Sequence, residues 1–173
     1  MSLEFLDQSL DCVSLTVCFS EAAKTEGPFS LGMAFAAIQD DGSVVTWGKK
    51  FYGGDSSSVA DKLQEGVGQV AGTYSAFAAV KDDGSVVAWG GAACGGDSSS
   101  VADKLQEGVV QVTGTSNAFA AVKEDGSVVT WGNAACGGDS SSVADKLQEG
   151  IVQVTGNKSF CCCQRRWICR NLG

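Results

Sequence analysis

Aspartate and serine recur together in this 173-residue chain, and they are the first groups whose spacing could support chemistry. Asp55, Asp97 and Asp139 are each followed by three serines, so weak calcium binding through oxygen atoms is one hypothesis. A single carboxylate is a poor cage for a hard cation, however. Aspartate and serine also hydrogen-bond the backbone of tight turns, and we expect this structural role at all three positions.

Residues suited to catalysis are scarce. The chain has no histidine, which removes the commonest acid–base catalyst and leaves the serines without the base that a catalytic triad needs. The glycine-rich residues 89–96 lack both the G-x-G-x-x-G spacing and the lysine of a phosphate-binding loop. We therefore expect no enzyme activity and no cofactor.

The end of the chain is rich in cysteine and arginine, which suggests a metal cluster or a nucleic-acid patch. Zinc sites favour paired C-x-x-C spacing over adjacent cysteines. A one-base shift in a plausible coding sequence converts FCCCQRRWICRNLG into FAAVKEDGSVVTWG, the phrase at residues 119–132. We therefore interpret residues 159–173 as a frameshifted, disordered tail.

The composition predicts one soluble domain. The chain is 44% hydrophobic and has a net charge of −8, so it would repel nucleic acid. No stretch is apolar enough to cross a membrane, and Glu4, Asp7 and Asp11 stand where a secretory signal needs basic residues. The eight cysteines form no disulfide framework, so we expect reduced thiols and an intracellular, cytoplasmic protein.

A period of 42 residues organises the chain. Each copy opens a phrase with phenylalanine, closes it with tryptophan and continues into the block GGDSSSVADKLQEG. The phenylalanine and tryptophan pairs are Phe35 and Trp47, Phe77 and Trp89, and Phe119 and Trp131. One tryptophan at a fixed place in each copy indicates a packing anchor between copies.

The phrase itself predicts a β-hairpin. Residues 118–123 and 127–132 flank Asp125-Gly126, a dipeptide typical of two-residue turns. In a two-residue turn Glu124 pairs with Ser127. This register places Val122 opposite Val129 and Ala120 opposite Trp131. Both faces are apolar and mostly small, which indicates a hairpin packed between two neighbours.

Two further elements complete each copy. Residues 109–113 read as a third strand ending at Gly114, and the equivalent strand of a fourth copy begins at Ile151 with an exposed edge. Ser100 is positioned to cap a short helix whose Val101 and Leu105 dock on the sheet. The fold predicted is mainly β: an incomplete, open β-propeller-like array of three β-β-β units, each with a short helical turn, because closed propellers need ~4–8 blades.

The phrase AFAAVKEDGSVVTWG, the glycine pair after it and the QV strand before the next copy resemble the repeats of the regulator of chromosome condensation family. The likeness covers residues 67–156 well and residues 33–66 in part. It implies β-propeller blades that bind proteins, as in a guanine-nucleotide exchange factor, HECT-type ubiquitin ligases and bacterial β-lactamase inhibitors. This chain has GGDSSS where the family has asparagine and G-Q-L-G. No contact residue carries over, because the positions that match are the blade-forming ones.

Variation between the copies is concentrated in the stretch after each tryptophan, which is typical of binding loops on a fixed scaffold and equally of neutral drift. The predicted partner-binding residues are Lys49, Lys50, Phe51, Tyr52, Gly91, Ala92, Ala93, Cys94, Asn133, Ala134, Ala135 and Cys136. We expect residues 1–28 to be a leader and residues 29–158 to hold the repeats. The function predicted is a non-catalytic protein-interaction module, a fragment of a larger propeller protein, with self-association through its open ends and no nucleic-acid or membrane partner. The alternative is a structural or adhesive cell-surface repeat that binds calcium weakly.

Overall fold

The computed structural model describes residues 34–157, and the fold is mainly β. These residues form eight strands: β1 (Ala34–Ile38), β2 (Val44–Gly48), β3 (Val67–Gly72), β4 (Ala76–Lys81), β5 (Val86–Gly90), β6 (Val109–Gly114), β7 (Ala118–Lys123) and β8 (Val128–Gly132). They also form six short 3₁₀ helices: η1 (Lys50–Tyr52), η2 (Ser57–Leu63), η3 (Ala92–Cys94), η4 (Ser99–Leu105), η5 (Ala134–Cys136) and η6 (Ser141–Lys146).

The strands make three antiparallel sheets in chain order. Sheet A contains β1 and β2, sheet B contains β3, β4 and β5, and sheet C contains β6, β7 and β8. Sheets B and C are the predicted β-β-β units, while sheet A has two strands among the described residues. In this part of the chain no sheet joins the first unit to the last. The molecule is therefore an open, propeller-like array, as the repeat count predicts.

The register of the hairpin differs from the prediction by one residue. Phe119 lies opposite Trp131, and Val122 lies opposite Val128. The turn has three residues instead of two: the N–H of Gly126 donates to the carbonyl of Lys123, and only Gly126 has a positive φ, of 76°. A tight turn followed by a left-handed glycine is the usual three-residue hairpin. Because side chains alternate, this one-residue shift moves the predicted partners to opposite faces.

The corrected register gives each sheet an aromatic face and an alanine face. In sheet C the aromatic face consists of Phe119, Ala121, Val129 and Trp131, all buried, and the alanine face includes Ala118, Ala120 and Val122. One core cluster packs the aromatic face of sheet C against Ala76, Ala78 and Val80 of sheet B. A second cluster repeats this arrangement between sheets B and A. The prediction that each hairpin packs between neighbours is confirmed where both neighbours are described.

The helical turn after the glycine pair exists, but its start was predicted wrongly. Ser100 lies inside η4, and Ser98 holds the capping position without a side-chain cap. Instead, the carboxylate of Asp97 accepts a hydrogen bond from the N–H of Ser99 at 2.9 Å, which orders the entry to the helix. Leu105 is buried and Val101 partly buried against the core cluster, so the predicted docking is confirmed.

The strand predicted to begin at Ile151 is absent, because residues 151–157 do not pair with any described strand. Their counterparts, β3 and β6, pair with the hairpin phrase that follows them in sequence. After residue 157 the sequence does not repeat that phrase, so the usual partner sequence does not follow. The tail predicted at residues 159–173 and the leader predicted at residues 1–28 lie outside the described residues.

Candidate partner-binding surface

The three variable stretches occupy equivalent places in the array. Each follows the last strand of a sheet and folds into a single 3₁₀ turn, η1, η3 or η5. Each turn ends at a glycine with a positive φ: Gly53 at 92°, Gly95 at 93° and Gly137 at 98°. Glycine is required there because a left-handed backbone lets its N–H bond back to the start of the turn.

A threonine of the same sheet holds each of the last two turns. The hydroxyl of Thr73 donates to the carbonyl of Cys94 at 2.9 Å, and that of Thr115 donates to the carbonyl of Cys136 at 3.1 Å. Both threonines lie in the connection between the first and second strands of their sheets. These two variable turns are therefore fixed to the scaffold by a hydrogen bond.

These strand connections join the turns into one surface. The rings of Tyr52 and Tyr74 meet edge to face at 5.6 Å, and the N–H of Tyr74 donates to the carbonyl of Ser116 at 2.8 Å. The side-chain amide of Asn117 donates to the sulfur of Cys94 at 2.9 Å. We call the surface formed by residues 49–52, 73–75, 91–94, 115–117 and 133–136 the loop face.

Tyr74 and Asn117 are loop-face residues that the sequence analysis missed. The signal was present, since residues 73–75 read TYS and residues 115–117 read TSN, a second place where the copies differ. Partial burial raises the pKa of the Tyr74 hydroxyl, and the neighbouring Tyr52 raises it further.

The predicted binding residues differ widely in accessibility. Phe51 has 83% of its surface exposed, and Lys49, Lys50, Ala92, Ala93, Ala134 and Ala135 are also exposed. Cys94 is a buried, free thiol that packs in the core, so its side chain does not reach the surface. Tyr52, Gly91, Asn133 and Cys136 are half-buried. Cys136 is disulfide-bonded, which contradicts the expectation of reduced thiols at that position.

The aspartates before the serines have the structural role expected of them. The carboxylates of Asp55, Asp97 and Asp139 each accept a bond of 2.9 Å from the N–H of the serine two residues later. Asp55 also pairs with the Lys50 ammonium at 3.0 Å. Within residues 34–157 no three histidine, cysteine, aspartate or glutamate side chains group together as metal ligands would. Calcium binding is therefore not favoured.

Two small depressions lie side by side between η4 and β5. They measure about 140 and 180 Å³ and share Val86, Val87, Leu105 and Gln106 in their linings. Sites for drug-sized ligands usually measure ~300–1,000 Å³.

Within residues 34–157 no helix is long and apolar enough to span a bilayer.

The tryptophans lie at the junctions between units. The indole N–H groups of Trp89 and Trp131 each donate a bond of 3.0 Å to a glycine carbonyl of the preceding unit, Gly53 and Gly95 respectively. Both indoles are 2% exposed and stack on the phenylalanine opposite. Trp47, in the first sheet, is 44% exposed. The prediction of a packing anchor is confirmed at both described junctions.

The fold and these junctions define the class of protein: a β-repeat protein whose sheets stack as an open propeller-like array. No family model and no curated protein matches the sequence. Two solved structures are similar in part, human WBSCR16 with a TM-score of 0.47 and the CRINKLY WD40 ectodomain of the Arabidopsis thaliana receptor kinase ACR4 with 0.45. Each is 19% identical over 72% of this chain, and the chain spans 40% of the length of each.

Proposed function

We propose that this chain is a non-catalytic protein-interaction module of the regulator of chromosome condensation type, and that its loop face binds a partner protein. The observation that carries the proposal is that two variable stretches, the one after the tryptophan and the one between the first and second strands of a sheet, form one continuous surface. A near-identical scaffold holds each stretch after a tryptophan in the same 3₁₀ turn. Variation concentrated in exposed turns on a shared scaffold is typical of a recognition surface.

Phe51 is the main anchor of this surface. It is the most exposed aromatic side chain of the described residues, and it lies on a turn that the Lys50–Asp55 ion pair helps to order. Exposed aromatic side chains on rigid supports commonly dominate interface energies, because they bury a large area at little entropic cost. The partner therefore offers an apolar pocket for this ring.

A capture experiment tests the proposal. The immobilised chain is compared with Phe51→Ala and with Val110→Ala, a control that also shortens an exposed apolar side chain but lies on β6, away from the loop face. We expect one or more proteins to bind the native chain and the control equally. Binding to Phe51→Ala should fall about tenfold, the effect of an ordinary hot spot of ~1.4 kcal/mol.

Two results would overturn the proposal. One is equal capture by all three chains, which would place binding elsewhere. The other is absence of any specific protein together with turnover of a small molecule in an activity screen, which would indicate an enzyme.

A further inference from the structure

We propose that residues 151–156 of one copy form the missing strand of sheet A in a second copy, so that the ends of the array join head to tail. This association is independent of the loop face. It follows from two incomplete ends that match each other in the way that neighbouring units match inside the chain.

At one end, residues 151–157 already lie where the first strand of a further sheet would lie. The N–H of Ile151 donates to the carbonyl of Gly126 at 3.0 Å, as the N–H of Val109 donates to that of Gly84 at 3.0 Å. The hydroxyl of Thr113 donates a hydrogen bond to the carbonyl of Val154 at 3.1 Å. The segment is thus positioned as a first strand, although no described hairpin pairs with it.

At the other end, sheet A lacks this first strand among the described residues. β4 pairs with β3 on one side and with β5 on the other, whereas β1 pairs with β2 alone. The first strands of sheets B and C read VGQVAG and VVQVTG, and residues 151–156 read IVQVTG. One period before β3, residues 25–30 read TEGPFS and share no residue with this pattern at any position. The chain therefore carries the missing strand sequence at its far end.

The aromatic face of sheet A is partly open, unlike those of the other sheets. Val45 and Trp47 are 45% and 44% exposed, while their counterparts Val87 and Trp89 are buried under η2 and the turn at Gly53. An aromatic face of this kind is completed inside the chain by the preceding unit.

Sheet C and the residues after it offer the complementary surface. A Cβ built on Gly137 meets nothing within 4 Å, whereas one on Gly95 would lie 2.6 Å from the ring of Phe119. Val143 on η6 is exposed, although the equivalent Val59 and Val101 pack on the aromatic face of the next sheet. The turn at Gly137 and helix η6 are thus present, but no described aromatic face packs against them.

A second copy fits both ends because the repeat is nearly exact. In sheet B, Gln69, Val70 and Ala71 lie opposite Val80, Ala79 and Ala78. Shifted by whole periods, the register places Gln153, Val154 and Thr155 of one copy opposite Ile38, Ala37 and Ala36 of the other. Two copies joined at both ends contain six sheets, within the ~4–8 of closed propellers.

Sedimentation velocity on the full chain over a dilution series tests the inference. We expect the native chain to have twice its 17.7-kDa mass and to dissociate on dilution. Val154→Glu should abolish association, because the equivalent Val70 and Val112 are buried in completed sheets. Val152→Glu is the matched control: its counterpart Val110 stays 55% exposed, so this variant should associate like the native chain.

A mixing experiment establishes the orientation. Trp47→Glu damages one end and Val154→Glu the other, so each variant alone should be monomeric, while an equimolar mixture should form a one-to-one dimer through its single intact junction. Circular dichroism melts at low concentration check that each variant folds. A native chain that is monomeric throughout, association by Val154→Glu alone, or a mixture that stays monomeric would each overturn the inference.

Discussion

The indole N–H of Trp131 lies 3.0 Å from the carbonyl oxygen of Gly95, one unit earlier in the chain. The same bond, at the same distance, joins Trp89 to Gly53. The acceptor glycine has a left-handed backbone, and its missing side chain makes room for the phenylalanine that stacks on the tryptophan. One hydrogen bond and one close contact thus fix each described junction between sheets.

Trp131→Phe should destabilise the chain by about 1–3 kcal/mol, because it leaves the buried Gly95 carbonyl without its donor and removes part of a buried ring. Urea unfolding followed by circular dichroism measures the change. Phe51→Ala, a larger truncation at an exposed ring, should alter stability by less than about 0.5 kcal/mol. Equal effects of the two variants would contradict the anchoring role of Trp131.

Gly95→Ala and Gly137→Ala separate backbone strain from crowding at the junction. Both glycines have a positive φ, so each substitution carries a strain of ~1 kcal/mol or more. Only at Gly95 does the new Cβ meet an aromatic ring, at 2.6 Å. In a Val154→Glu background, where we expect no second copy to cover Gly137, thermal melts should show the larger loss of stability for Gly95→Ala. Equal losses would mean that the ring moves aside.

Gln69→Met tests the link between the first strands of sheets B and C. The Gln69 side-chain amide donates to the carbonyl of Val112 and accepts from its N–H, both at 3.1 Å. Methionine keeps the length but leaves both backbone groups of a buried residue unpaired, so we expect a loss of about 1–3 kcal/mol. Hydrogen exchange at the Val112 amide should accelerate. Gln64→Met, at an exposed glutamine, is the control and should have little effect.

Stability should fall at acidic pH through six turn aspartates. Hydrogen bonds from the serine two residues later hold the pKa of each carboxyl below 3.8, chiefly from the serine side chain at Asp41, Asp55, Asp83 and Asp125 and from its backbone at Asp97 and Asp139. A lowered folded-state pKa stabilises the fold above the unfolded-state pKa, and this stabilisation is lost as the pH falls through the folded-state value.

The measurement is the urea midpoint from pH 6 downwards, which should be level at first and fall once the pH passes below about 4. Asparagine keeps the acceptor oxygen of each turn but does not titrate. The variant with all six aspartates replaced by asparagine should therefore show a shallower acid decline. An unchanged decline would assign the acid sensitivity to other carboxyls.

The strands and turns were predictable because their signals are local. Val109–Gly114 alternates and is β-branched, and its strand was predicted within one residue. The hairpin was also predicted, but its register depended on whether the turn at Asp125 and Gly126 has two or three residues. Both turn types accept this dipeptide, and the extra residue exchanges the two faces of the sheet.

The candidate surface was predictable in part. Comparing the copies identified the three variable turns, because repeats that share a scaffold show their differences directly. It did not separate the exposed Phe51 from the buried Cys94, since burial depends on the neighbouring unit. It also missed Tyr74 and Asn117. These residues lie in the connection between the first and second strands of their sheets, and not in the stretch after the tryptophan.

The sequence by itself determined the 42-residue period, the strand content and the places where the backbone must turn, because these depend on residues close together in the chain. Tertiary structure alone decided that the aromatic faces of sheets B and C pack on the alanine face of the preceding sheet and that Trp131 bonds to Gly95. Near-identical copies offer the same partners many times over. Only packing in three dimensions selects one neighbour among them, and among the described residues it leaves sheet A with two strands and residues 151–157 without a paired hairpin.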